Sequence, residues 1–220
     1  MSETDLELAQ LLCTRLCHDL AGPVGAVAAG VELIGGDPAQ ADVETLGLIG
    51  SSSAAASAKL KFMRMALGAA GGAGDFGLLL DGYIEATAGP GGKTAVVLPP
   101  AEALAAGVAH LGSRWAQVVL NLCLLAIESV PGCRKLAMQV DGRGGLTVTL
   151  QASGAPERTI ALRDDLIAAV AGSGASPLSV PTVHGHVTGR LVRANGGAVT
   201  LAAAANTVTL TATFSGQAAA

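Results

Sequence analysis

Two long stretches of helical periodicity open the chain. From about Asp5 to Ile34 the apolar residues recur three and four apart, behind an acidic first turn and ahead of Gly35-Gly36-Asp37-Pro38. That pattern predicts one helix with Leu16, Leu20, Val27 and Ile34 on its core face. From about Ala41 to Ala70 a second predicted helix places Leu46, Ile49, Ser53, Ala56, Leu60, Met63 and Leu67 in an unbroken heptad seam. The short connection makes the pair an antiparallel hairpin, and its symmetry about residues 37 and 38 sets Ser53 and Ala56 level with His18. A lone hairpin buries too little apolar surface to offset the entropy of ordering it, so the seam needs a further partner. A second copy, giving a dimeric four-helix bundle, is the simplest one.

The pattern changes character after Gly71-Gly72-Ala73-Gly74, which reads as a linker between a helical unit (1–73) and a second unit (74–220). Thr94 to Leu98 reads as a strand ending at Pro99-Pro100, and Trp115 to Val130 as a helix ending at Pro131-Gly132. Lys135 to Val140 and Leu146 to Ala152 alternate as a hairpin around Asp141-Gly142-Arg143-Gly144-Gly145. Helices at about Arg163 to Ala171 and Thr182 to Asn195, then strands Ala198 to Ala203 and Thr207 to Thr213, complete the unit. The fold class is therefore α+β: a dimerising helical hairpin followed by an α/β sandwich.

Within the first helix lies Arg15-Leu16-Cys17-His18-Asp19-Leu20-Ala21-Gly22-Pro23. At about 100° per residue His18 points away from the core face, and Leu11, Thr14, Arg15, Ala21, Gly22, Gly25, Ala29 and Glu32 fall within about 60° of it. Its surroundings toward the C-terminus are nearly bare of bulk, as a phosphate-carrying histidine requires if a partner's acyl phosphate is to reach it in line. Arg15, one turn earlier, is placed to offset phosphoryl charge; Asp19 is placed to hold the Nδ1–H tautomer that leaves Nε2 nucleophilic. Pro23 removes the helix hydrogen bond to residue 19 and bends the helix beyond the site. Lys59 and Lys61 on the second helix fall near the same level and are candidates to meet an acidic partner, although with Arg64 they read most simply as a solvated face.

Composition narrows the classes. The chain has 220 residues, half of them hydrophobic, and a formal net charge of −4, without the basic concentration of a nucleic-acid binder. Met1-Ser2-Glu3-Thr4-Asp5 is acidic where a secretory leader is basic, and no apolar run approaches a membrane span, so a cytoplasmic protein is expected. Cys13, Cys17, Cys123 and Cys133 have neither disulfide-framework nor metal spacing and read as buried thiols. His110, His184 and His186 read as incidental.

The Arg15-to-Leu20 core, with Gly22-Pro23, Gly25-Ala26 and Gly30-Val31-Glu32-Leu33, closely resembles the ChpT-type histidine phosphotransferases of alphaproteobacteria. The resemblance implies a dimerising histidine hairpin joined to a Bergerat-type ATPase domain that has lost nucleotide binding. The second unit agrees with that loss. In the stretch resembling a kinase N-box, Asn121 is kept but Leu125 stands in place of the Mg²⁺-binding asparagine. Ala152 replaces the adenine-reading aspartate and Pro156 a glycine, and Pro181 to His186 lacks a glycine-rich phosphate loop. Asn121 then reads as a structural amide of the helix core.

The resemblance implies a phosphotransferase without ATPase or autokinase activity, relaying phosphate between receiver-domain aspartates through His18. Receivers like those of CckA, CtrA and CpdR are its implied partners, and Mg²⁺ comes from the receiver pocket, with no cofactor or metal held by this chain. Catalytic candidates are His18, Asp19 and Arg15; partner-binding candidates are Thr14, Ala21, Gly22, Gly25, Lys59 and Lys61. Gly22 stands where phosphatase-competent kinases carry Thr or Asn, so slow direct hydrolysis is expected. The rival readings are an ATP-dependent sensor kinase with a divergent nucleotide site and a non-catalytic receiver-binding adaptor.

Overall fold

The computed structural model describes residues 3–35, 41–68, 75–87, 93–142, 145–173 and 177–215. The predicted linker at residues 71–74, the side chain of His110 and the hairpin residues Arg143 and Gly144 lie outside the described residues. Helix α1 runs from Glu3 to Ile34 with Pro23 inside it, and α2 from Val43 to Leu67. Asp42 caps α2 by accepting from the Thr45 amide at 2.6 Å, as an N-cap carboxylate does for an orphan amide of the first turn. Gly30 packs on Ile49, and Lys59 reaches the carbonyl of Asp19. These contacts put His18 level with Leu60 and Lys61, about one to two turns beyond Ser53 and Ala56.

The remaining elements are α3 (Phe76–Thr87), β1 (Ala95–Val97), α4 (Ala101–Val108), a 3₁₀ stretch (Ala109–Arg114), α5 (Trp115–Glu128), β2 (Lys135–Asp141), β3 (Leu146–Ser153), α6 (Asp164–Ala171), α7 (Val183–Ala194), β4 (Gly197–Ala204) and β5 (Thr207–Phe214). The strands form one sheet in the order β1-β2-β3-β5-β4, parallel only between β1 and β2. Alternation sets its two faces. Leu136, Met138, Val148, Leu150, Val208, Leu210 and Ala212 are buried under the helices, while Thr149 opposes Thr211 on the other face. Helix α5 is buried nearly all round, from Ala116 through Ala126, and is the axis of the core.

The α+β class, the hairpin and the sandwich stand as expected from the sequence, whereas α3 and α4 were not anticipated. Helix α3 had a legible start: Asp75 Oδ1 accepts from the Leu78 amide at 3.1 Å, ahead of Phe76, Leu80, Tyr83 and Ile84 at helical spacing. The glycine-rich run before it concealed that signal.

The end of α2 joins the second unit's core. Phe62, Met63 and Ala66 are buried in the same cluster as Leu80, Tyr83 and Leu120, and Phe62 stacks on Tyr83 with centroids 4.1 Å apart. The predicted seam is therefore divided: Met63 is buried, but Leu46 and Leu60 are half exposed. Cys13 and Cys17 are exposed and Cys133 is half-buried; only Cys123 is the buried thiol expected. The first two sit on the side of α1 turned away from both α2 and the core, where a helix periodicity of about 3.6 also brings Leu6, Val24 and Val31. Among the described residues no helix is long and apolar enough to cross a membrane.

Candidate functional site

His18 has 87% of its side chain exposed, on the outer face of α1. Its Nδ1 lies 3.4 Å from Asp19 Oδ1, close enough for the carboxylate to bias the ring tautomer. A Cβ added at Gly22 or Gly25 would meet nothing within 4 Å, so the face C-terminal to His18 is open. Thr14 turns its hydroxyl back to the Gln10 carbonyl at 2.9 Å, and Ala21 and Lys61 are exposed. Lys59, in contrast, is engaged: its ammonium donates to the Asp19 carbonyl at 3.2 Å.

Arg15 is held from two sides. Its Nε lies 3.7 Å from Asp19 Oδ2, and its Nη2 donates to Glu128 Oε1 at the end of α5. The other Glu128 oxygen lies 2.9 Å from His184 Nδ1, and His184 Nε2 lies 3.1 Å from Asn121 Oδ1. Asn121 Nδ2 in turn donates to the carbonyls of Ala66, at 2.5 Å, and Gln117, at 2.8 Å. With both carbonyls facing Nδ2, Oδ1 is left to accept from the ring. A continuous polar chain thus runs from the helix that carries His18, through the second unit, to the end of α2.

Packing places its buried end. A Cβ at Gly185 would come within 2.9 Å of Leu166, and one at Gly189 within 2.2 Å of the Val170 carbonyl, so α7 lies directly on α6. That approach holds His184, 3% exposed, over Asn121 and Glu128. Tyr83 borders the same cluster: burial pushes its hydroxyl above the ordinary tyrosine range, and the carboxylates of Glu128 and Asp19 push it further.

The structure brings Arg15, His18 and Asp19 together, and it adds Glu128 and His184, which sequence reasoning passed over. The missed signal was periodic: Gln117, Asn121 and Glu128, four and seven apart, share one face of a helix whose other residues are apolar. His184 is a network member, not an incidental histidine. Leu125, 1% exposed, borders a cleft of about 340 Å³ whose walls include Arg15, Glu128, Arg163 and His184. Ala152 is fully buried in β3. Among the described residues no group of three or more His, Cys, Asp or Glu side chains is arranged to hold a metal ion.

No family model matches the chain. A protein phosphotransferase ChpT from Brucella abortus (strain 2308) is 51% identical over 69 residues, which span 31% of this chain and 32% of that protein, about a third of its length. A solved bacterial phosphotransferase superposes with a TM-score of 0.69 at 25% identity, covering 96% of this chain and 97% of that one. A histidine kinase domain from Erythrobacter litoralis EL346 aligns at 18% identity with a TM-score of 0.36, over 97% of this chain and 94% of its own, too distant to bear on the site. The resemblance to the ChpT-type histidine phosphotransferases is thereby upheld: the chain is similar to a ChpT in sequence over part of its length and to a bacterial phosphotransferase in fold over nearly all of it.

Proposed function

We propose that the chain is a histidine phosphotransferase in which His18 carries a phosphoryl group between receiver-domain aspartates. One observation carries this reading: an almost fully exposed histidine, with a carboxylate 3.4 Å from Nδ1, on a helix face left open by Gly22 and Gly25. With the proton on Nδ1, Nε2 attacks the phosphorus of a receiver's acyl phosphate. The P–O bond breaks, the aspartate leaves as carboxylate and the group rests on His18 until a second receiver's carboxylate takes it by the reverse step. Receivers supply the Mg²⁺ that neutralises the transferring group. The similarity to phosphotransferases supports the assignment.

Transfer proceeds without ATP. Leu125 and Ala152 offer no ligand to metal or adenine, and Arg15 crosses the cleft beside Leu125 to pair with Glu128. The working unit is a homodimer, because the side of the hairpin away from the second unit exposes Leu6, Val24, Val31, Leu46 and Leu60, more apolar surface than a solitary helix pair keeps.

The test is transfer of labelled phosphate from a panel of phosphorylated receiver domains to the wild type and to His18→Ala. Labelling of the wild type alone is expected. Equal labelling of both proteins removes His18 as the carrier, and labelling of neither leaves a receiver-binding adaptor.

A further inference from the structure

Arg15 adjoins the phosphoacceptor, yet its guanidinium is committed to the second unit through Glu128. Glu128 is itself oriented, since one carboxylate oxygen takes Arg15 and the other faces His184. His184 and Asn121 are 3% and 0% exposed, so the far end of the chain is shielded from water and fixed by packing. Asn121 then reaches the Ala66 carbonyl near the end of α2. Both helices of the hairpin are in this way gripped by one buried polar chain that starts a single turn from His18.

We infer that Asn121, His184 and Glu128 form an interdomain clamp acting through Arg15. The clamp fixes the height and rotation of α1 against the second unit, so that an incoming receiver meets His18 and the second unit's surface as one preformed site. This rests on the phosphotransfer reading above and goes beyond it by giving the retained asparagine of a degenerate nucleotide site a present use. Glu128 and His184 are positioning residues: neither needs to touch the phosphoryl group. The alternative use of Arg15, as a direct phosphate ligand, would require it to leave Glu128 Oε1 and its charge matched only by the His184 contact, a loss the partly buried carboxylate resists.

The experiment uses the full chain, Glu128→Gln and His184→Gln, and two phosphate donors. A phosphorylated receiver domain must dock. Phosphoramidate need not: its P–N bond breaks as the His18–phosphorus bond forms and ammonia leaves, so it reads the reactivity of His18 alone. Both variants are expected to raise the KM for the receiver about fivefold or more, while phosphoramidate labelling stays within about twofold of wild type. Arg15→Gln combined with Glu128→Gln should be no worse with the receiver than Arg15→Gln alone, because Glu128 works through Arg15.

Receiver transfer at wild-type rates in both variants overturns the clamp while leaving phosphotransfer intact. Equal loss with both donors, together with a lowered unfolding midpoint, overturns it in favour of a purely structural role. Should His184→Gln fail to fold, Glu128→Gln decides alone, being nearly isosteric at a side chain 22% exposed. A wild type labelled no better than His18→Ala by either donor overturns the phosphotransfer reading and the clamp's role in it together.

Discussion

The ammonium of Lys59 donates to the carbonyl of Asp19 at 3.2 Å, and Asp19 is the residue whose helical partner would have been the amide that Pro23 lacks. The proline frees an acceptor immediately beside His18, and the second helix fills it. Lys59→Met should therefore destabilise the hairpin by about 1 kcal/mol, the net worth of such a bond. In a Pro23→Ala background the restored amide takes the carbonyl and the same substitution should cost little. Denaturant unfolding of the four proteins of this double-mutant cycle checks it; equal costs in both backgrounds would refute the pairing.

Gly25 has open space around it and lies in a helix interior, so alanine there should stabilise the protein by about 0.5 to 1 kcal/mol, whereas a Cβ at Gly22 would meet the ring of Pro23 that follows it. A bulky residue has a second effect. Gly25→Leu should keep or raise the unfolding midpoint and yet slow transfer from a receiver about tenfold or more, because it fills the approach to His18. Stability and transfer measured on one preparation separate the two effects.

Gly30 is different. Its added Cβ would lie 2.5 Å from Ile49 Cγ1, inside the contact distance of two carbons. Gly30→Ala is expected to cost about 1 to 3 kcal/mol by overpacking the hairpin, with partial recovery when Ile49→Ala is added. Thermal unfolding reads both steps.

Cys13 and Cys17 are exposed on the apolar side of α1, whereas burial pushes the Cys123 thiol above its ordinary range and keeps it from forming thiolate. Native alkylation followed by mass spectrometry should modify Cys13 and Cys17 and spare Cys123 until the protein unfolds. If a second copy covers that side, their modification should slow as protein concentration rises. Val24→Glu with Leu60→Glu should then convert a dimer to a monomer by sedimentation; a wild type monomeric at every concentration counts against the bundle.

The Asp42 cap makes α2 acid-sensitive. The backbone and side chain of Thr45 hold the Asp42 carboxyl below its usual 3.8. A group depressed on folding stabilises above its unfolded value and loses that contribution as pH falls through its folded one. Asp42→Ala should lower the unfolding midpoint at neutral pH, and the gap from wild type should narrow as pH drops below that value.

Which parts of the molecule were legible follows from the range of the forces involved. Heptad spacing and the Gly35 stop place α1 and α2 to within a few residues, and alternation places β2, β3, β4 and β5, because these signals lie within a few residues of one another. Helix α3 carried an equally local cap in Asp75, just past the glycine-rich run that hid it. The outward face of His18 also followed from its own helix.

The Arg15–Glu128–His184–Asn121 chain did not follow from local pattern. Its members come from three helices, and the residues it joins are 113, 56 and 63 positions apart. Hydrogen bonds of that separation depend on how α7 settles beside α5, and the close approach of Gly185 and Gly189 to α6 helps set that position. The amino-acid sequence by itself thus determined the helical and strand elements and an exposed histidine among small residues, since periodicity and side-chain size act locally. Only the tertiary structure decided that Arg15 is anchored to the second unit, that Lys59 serves a proline-freed carbonyl, and that Cys13 and Cys17 face outward, since each depends on which surfaces packing brings together.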